Sequence, residues 1–270
     1  MHDDSHHHGL PHDLKVLHRR QLLRLTAGVG VMTLFACSDD GSAIDDDTGA
    51  TTDNTTGDSP TGGGSCPSIP EETAGPYPGD GSNGANALIL TGIVRSDIRT
   101  SIADASGTAD GVPLTITLTI VDSTCTPLAN HAVYLWHCDR DGAYSMYTGS
   151  ASAENYLRGV QETDADGKVT FLSIFPACYS GRWPHIHFEV YPSLAATADA
   201  GNKLCTSQLA LPKATCDLVF ATAGYEASVT NLTQVSLASD NIFSDGSDQQ
   251  LADLSGSVAA GYTATLTVPV

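Results

Sequence analysis

The 270-residue chain sets 31 Asp and Glu against 12 Lys and Arg, a formal charge of −19, with only 6% aromatic residues. So acidic a surface excludes nucleic acid as a partner, because neutralising phosphates needs a basic face. The charge reads instead as a solubility feature.

In chain order, the first segment runs from Met1 to Cys37 and contains "HRRQLLRLTAGVGVMTLFAC", a paired Arg19 and Arg20, an apolar run and a terminal cysteine. This pattern resembles a twin-arginine export signal with a lipoprotein cleavage box, in which Cys37 takes the lipid. The apolar run from Leu25 to Ala36 is too short to span a bilayer, which needs roughly 20 residues. The expectation is an exported protein, periplasmic or at the cell surface and possibly secreted, touching the membrane only through that lipid. The histidines before the signal (His2, His6 to His8, His12, His18) leave with it, so the mature chain keeps His131, His137, His185 and His187. The second segment, Ser38 to Ser65, is rich in Asp, Thr and Gly, and its only large apolar residue is Ile44. Such a composition cannot bury enough surface to offset chain entropy, and a disordered acidic tether is expected.

The third segment, residues 66–270, is long enough for one well-buried domain. Short runs dominate it: "ALILTGIV", "PLTITLTIVD", "HAVYLWHCD", "KVTFLSIF", "HIHFEVYP" and "YTATLTVPV". All are rich in β-branched or aromatic residues and are bounded by Gly, Pro, Asp or Asn. No segment longer than about ten residues keeps a helical period, so the fold predicted is all-β, a sandwich of mixed sheets. In "TDADGKVTF", Asp166 and Gly167 predict a hairpin turn. Six cysteines remain beyond Cys37, an even number that in an exported domain points to disulfides among fifteen possible pairings. Spacing favours Cys205 with Cys216 as a local clip, and no CxxC supports a thiolate metal site. The chain does not define an oligomeric state.

Within "RWPHIHFEV", alternate strand residues share a face, so His185 and His187 lie side by side. An isolated HxH reads either as a metal site or as a hydrogen-bonded pair on a half-exposed sheet. Tyr179 stands six residues upstream across a Gly-containing loop, and Tyr144 follows a turn marked by Asp141 and Gly142. A lone tyrosine is usually core or rim. Two phenolates and two imidazoles together form a hard, electron-rich set suited to a ferric ion.

These residues carry a resemblance. "DRDGAY", "YLRGVQETDADGKVTFLSIFPACYSGR" and "RWPHIHFEV" resemble the intradiol ring-cleavage dioxygenases, the family of catechol and protocatechuate dioxygenases, and "EETAGPYPGDGSN" is similar to an upstream family segment. The similarity spans roughly Cys66 to Tyr191, thins toward the C-terminus, and points to the family's secreted branch. It implies a β-sandwich holding a non-haem Fe(III) through Tyr144, Tyr179, His185 and His187, with no organic cofactor. Tyr179 would be the ligand released when substrate binds. Arg182 would stabilise negative charge developing on the substrate, and Gln208, in "LCTSQLAL", matches the active-site glutamine. The substrates implied are dioxygen and a catechol-like aromatic, opened between its hydroxyl-bearing carbons to a muconate-type diacid. Pro76, Tyr77 and Trp136 are placed along the pocket by position, while Trp183 either lines it or packs. Because Cys138 and Cys178 flank the ligand tyrosines, a disulfide between them would brace the site, leaving Cys66 to pair with Cys125. A non-catalytic binding or adhesion module on a lipoprotein stalk is the competing reading. That reading gives no reason for the order Tyr, Tyr, Arg, HxH.

Overall fold

The structure is a computed structural model, and it describes residues 65–270. The expected export signal, the lipid-bearing Cys37 and all of the linker up to residue 64 lie outside the described residues. Eight strands form the frame: β1 (Pro113–Val121), β2 (Ala132–Trp136), β3 (Arg158–Glu162), β4 (Lys168–Ile174), β5 (His185–Tyr191), β6 (Cys205–Ala210), β7 (Asp253–Ser257) and β8 (Gly261–Pro269). They make two four-stranded sheets, in the orders β4-β1-β8-β7 and β3-β2-β5-β6. Only β1 and β8 run parallel; every other pairing is antiparallel. The all-β sandwich expected from the sequence is the fold observed, with the parallel pairing in the first sheet alone.

The first sheet keeps the alternation of a half-buried strand. Leu114, Ile116, Leu118 and Ile120 of β1 point into the core, while Thr115, Thr117 and Thr119 point outward. The second sheet is buried on both faces. Val133 and Leu135 of β2 and Ile186, Phe188 and Val190 of β5 pack into the core between the sheets. The opposite face carries Tyr134, Trp136, His185 and His187, and loops cover it completely.

Several elements differ from expectation. "ALILTGIV" forms turns with a single bridge from Val94 to Val160, and Ile89 and Val94 are exposed. The turn before β4 is tight, with Asp164 Oδ1 accepting from the Asp166 and Lys168 amides and Gly167 at φ 72°. It does not close a hairpin, because β3 and β4 lie in different sheets and the turn crosses from one layer to the other. Strands β3, β6 and β7 lack the alternating apolar signature: β3 and β6 are interior positions filled by Arg, Gly, Thr, Ser and Gln, and β7 is largely exposed. Two short helices, α1 (Lys213–Phe220) and α2 (Glu226–Leu232), pack at one end of the sandwich.

The cysteines require a correction. Cys66 is bonded to Cys125, as expected, across 59 residues. Cys138, Cys178, Cys205 and Cys216 are buried free thiols, so neither Cys205–Cys216 nor Cys138–Cys178 is a disulfide. Cys138 packs with the residues above the second sheet, whereas Cys178 packs into the core between the sheets. Its thiol points to the Arg182 carbonyl, 3.4 Å away, while that of Cys138 points to the Ala177 carbonyl at 3.8 Å. Cys205 lies on β6 and the Cys216 thiol, on α1, faces the Leu211 carbonyl at 3.9 Å. Burial raises all four thiols, Cys178 and Cys205 to about 12, which keeps them protonated and unreactive.

Candidate metal centre

Two loops and one strand bring four donor side chains together. The Tyr144 loop is a tight turn built on Asp139, whose Oδ1 accepts from the amides of Asp141 and Ala143. Gly142 sits at φ 85°, and a Cβ there would lie 3.1 Å from the Tyr179 Cβ. Glycine is therefore required both by the left-handed backbone and by the approach of the second loop. That loop, Phe175 to Pro184, is held by α2: Ser228 Oγ accepts from the Cys178 amide, and Asn231 Nδ2 donates to the Cys178 carbonyl. His185 and His187 come from β5, with His187 paired to Trp136 on one side and Gln208 on the other.

The convergence is close. Tyr144 Oη lies 3.5 Å from Tyr179 Oη, 3.4 Å from His185 Nε2 and 3.3 Å from His187 Nε2. Tyr179 Oη is 3.3 Å from His185 Nε2, and the two imidazole Nε2 atoms are 3.1 Å apart. These are separations expected of donor atoms sharing one ion with bonds of about 2 Å. His185 Nδ1 lies 2.5 Å from the Trp183 carbonyl, which can only accept, so the ring proton is on Nδ1 and Nε2 presents a lone pair to the cluster. His187 Nδ1 has no hydrogen-bond partner; the ring is held by Trp136, stacked at 4.9 Å and 7°.

Burial sets the charge state of all four groups. It lowers both imidazoles well below their usual value, with Arg182 adding to the effect, so they are neutral. It raises the Tyr144 phenol well above its usual value, and raises Tyr179 to about 12 against the pull of the Arg182 charge. Without a cation the two phenols can donate to the imidazole Nε2 atoms only across 3.3 to 3.4 Å, longer than a good hydroxyl hydrogen bond, whereas a highly charged cation stabilises both phenolates. Among the described residues no group of three or more His, Cys, Asp or Glu side chains could hold a metal. The tyrosines thus define this donor set, which is hard, free of thiolate and suited to Fe(III).

The other residues singled out in the sequence fall as follows. The Arg182 side chain is 13% exposed; its Nε donates to Asp240 Oδ2 at 3.0 Å and its Nη2 to Gln208 Oε1 at 2.7 Å. Gln208 in turn donates to the Thr73 carbonyl, so it shares the site face with His187 and orients the arginine. Tyr77 lies at the rim, its ring 5.0 Å from that of Tyr144, and Pro76 is exposed beside it. Trp136 has no exposed surface, and its ring stacks on that of His187. Trp183 packs, its Nε1 donating to the Leu211 carbonyl.

Sequence reasoning missed Asp240 and Arg158. The Asp240 carboxylate is fully buried and also accepts from the amides of Trp183, Ile242 and Phe243. It lies 58 residues beyond Arg182, in a loop without a motif, and no local signal marks it.

Fold and site together define an all-β domain with two tyrosines and two histidines converging on one point. A family model described as "Dioxygenase" matches residues 95–198, which include Tyr144, Tyr179, Arg182, His185 and His187. Catechol 1,2-dioxygenase 2 of Acinetobacter lwoffii is 36% identical over 93 residues, and the match spans 34% of this chain and a third, 33%, of that protein. An intradiol ring-cleavage dioxygenase from Tetranychus urticae has the same fold with a TM-score of 0.58 and 25% identity, over 76% of this chain and 94% of that one. The chain is thus similar to the intradiol ring-cleavage dioxygenases, the family its motifs resemble, and the family model covers residues 95–198 of it.

Proposed function

We propose that Tyr144, Tyr179, His185 and His187 hold a non-haem ferric ion, and that the chain opens catechol-type rings with dioxygen between the two hydroxyl-bearing carbons, giving muconate-type diacids. The observation that carries this reading is the convergence of four donor atoms, with five of their six separations at 3.1 to 3.5 Å. A bound ferric ion supplies Lewis acidity and a template for the two catechol oxygens.

The residues of the chain do the rest. His185 and His187 enter the site neutral, ready to donate Nε2, and the two phenols give up their protons as the ion is taken up. Tyr179 is the phenol under the stronger pull of Arg182. The Tyr179 oxygen, which would hold the ion as a phenolate, would also be the base for one catechol proton. Arg182, fixed by Asp240 and Gln208, directs its charge to where negative charge develops on the ring. Trp136 closes the space behind His187 to water. The Arg182 charge is answered by Asp240, and the Arg95 side chain donates to the carbonyls of Thr100, Asn155 and Arg158. These commitments favour catechols without a carboxylate. The leader pattern supports export, with Cys37 as a lipid anchor.

Ferric tyrosinate absorbs visible light, so iron-loaded protein is expected to be burgundy and to change colour when catechol is added without air. Tyr179→Phe and His187→Ala should each lose colour and turnover. A protein that stays colourless and takes up no iron would overturn the reading. A turnover panel of catechol, protocatechuate and hydroxyquinol then ranks the substrates.

A further inference from the structure

Arg158, on β3, is an arginine with no exposed surface and no carboxylate among its partners. All five of its N–H groups are used. Nη1 donates to the Pro78 carbonyl at 2.7 Å and to Tyr134 Oη at 3.0 Å. Nη2 donates to the carbonyls of Tyr77, at 3.0 Å, and Ser145, at 2.9 Å, while Nε donates to Ser145 Oγ at 3.0 Å. A buried guanidinium held only by neutral acceptors is costly to desolvate, and its fixed fork joins whatever supplies those acceptors.

Here it joins two segments that meet at the metal centre. One is the strap Tyr77 to Gly79, which passes over the site. The other is Ser145, the neighbour of Tyr144. The strap is pressed onto the guanidinium: Gly79 stands at φ 64°, and a Cβ there would lie 2.7 Å from Arg158 Nη1. Tyr134 Oη donates to the same Pro78 carbonyl at 2.8 Å, and Tyr147 Oη accepts from the Gly79 amide at 2.8 Å. The Tyr77 ring thereby stands 5.0 Å from the Tyr144 ring.

We propose that Arg158 is a positioning residue that locks the Tyr77–Gly79 strap to the Tyr144–Ser145 loop and so fixes the tyrosine wall against which substrate binds. The role in substrate binding rests on the dioxygenase reading above; the lock itself does not. An ammonium has at most three donors and no fixed fork, so Arg158→Lys keeps the charge and loses the lock.

The test uses the full chain and two readouts. In metal-free protein, hydrogen exchange of peptides covering residues 77–83 should quicken by about tenfold in Arg158→Lys while peptides of β2 and β5 stay as slow as in the parent. In iron-loaded protein, KM for catechol should rise by about tenfold, more than kcat falls. The same substitution made in Tyr77→Ala should shift KM by less than about twofold, because the wall it positions is gone. Unchanged exchange in the strap of a folded Lys variant would overturn the lock, whatever the activity. A quickened strap with independent, multiplying effects of Arg158→Lys and Tyr77→Ala would overturn the positioning role. A strap that loosens in a protein that never binds iron or catechol would instead count against the proposed function alone. Should Arg158→Lys fail to fold, Tyr134→Phe, which removes the hydroxyl shared by Nη1 and Pro78, must show the same pattern at smaller size.

Discussion

Asp240→Asn separates the demands made on one buried carboxylate. Asp240 Oδ2 accepts from Arg182 Nε at 3.0 Å and from the Trp183 amide at 2.7 Å, and Oδ1 accepts from the Ile242 and Phe243 amides. Asparagine keeps the shape and one acceptor, yet turns an NH2 group toward two donors and leaves the Arg182 charge without a counter-ion. Two charge-assisted hydrogen bonds at about 1.5 to 3 kcal/mol each give a loss of about 3 to 6 kcal/mol. Breaking a buried pair by removing one partner typically costs about 3 to 5 kcal/mol. The two routes overlap at about 3 to 5 kcal/mol, and for a domain of this size the melting temperature should then fall by roughly 6 to 20 °C. Urea unfolding of the metal-free protein at neutral pH, followed by tryptophan fluorescence, measures the difference. Because Arg182 also loses its orientation, kcat should drop even at temperatures where the variant is fully folded. A loss below about 1 kcal/mol would show that Arg182 finds other partners and that Asp240 does not hold it, refuting the reasoning.

Trp136→Ala removes the ring stacked on His187 and Tyr134; a cost of about 3 to 5 kcal/mol is expected from urea unfolding, with metal bound about 10- to 100-fold more weakly in iron titrations. Cys66→Ser opens a loop of 59 residues and should cost about 4 kcal/mol by the loop-entropy relation, while mass mapping of unreduced protein finds Cys138, Cys178, Cys205 and Cys216 as thiols. His137 is buried, with Nδ1 donating to the Cys138 carbonyl and Nε2 accepting from Ser173 Oγ, and burial lowers its imidazole to about 4. The unfolded chain takes up that proton near pH 6.5 and the folded chain only near 4, so this stability is whole above 6.5 and is lost as pH falls between them. His137→Gln should flatten the fall from pH 7 to 4.5 by about 2 to 3 kcal/mol, measured by denaturant titration at each pH; an unchanged slope would assign the acid sensitivity elsewhere.

Much of the site is legible because its residues are close in sequence and their spacing carries geometry. The HxH pair shares a face simply because strand side chains alternate, and the Asp141–Gly142 turn that presents Tyr144 needs a glycine at positive φ. Strands β1, β2, β4, β5 and β8 announce themselves in β-branched and aromatic runs. Strands β3 and β6 do not, because positions such as Arg158 and Gln208 are buried by virtue of specific hydrogen-bond partners, and a hydropathy pattern registers burial only when it is apolar.

What the sequence by itself determined was the candidate donor set: two tyrosines, an arginine and a histidine pair, in order, on a β-rich chain of low aromatic content. What only the tertiary structure decided was who supports whom. Asp240 reaches Arg182 across 58 residues, Arg158 reaches the Tyr77–Pro78 strap across about 80, and the cysteines of two pairs that spacing or site proximity had suggested are buried free thiols. The reason is physical. Local preferences act over a few residues, whereas a buried charge or thiol is satisfied by whichever distant segment the packing of two sheets brings beside it.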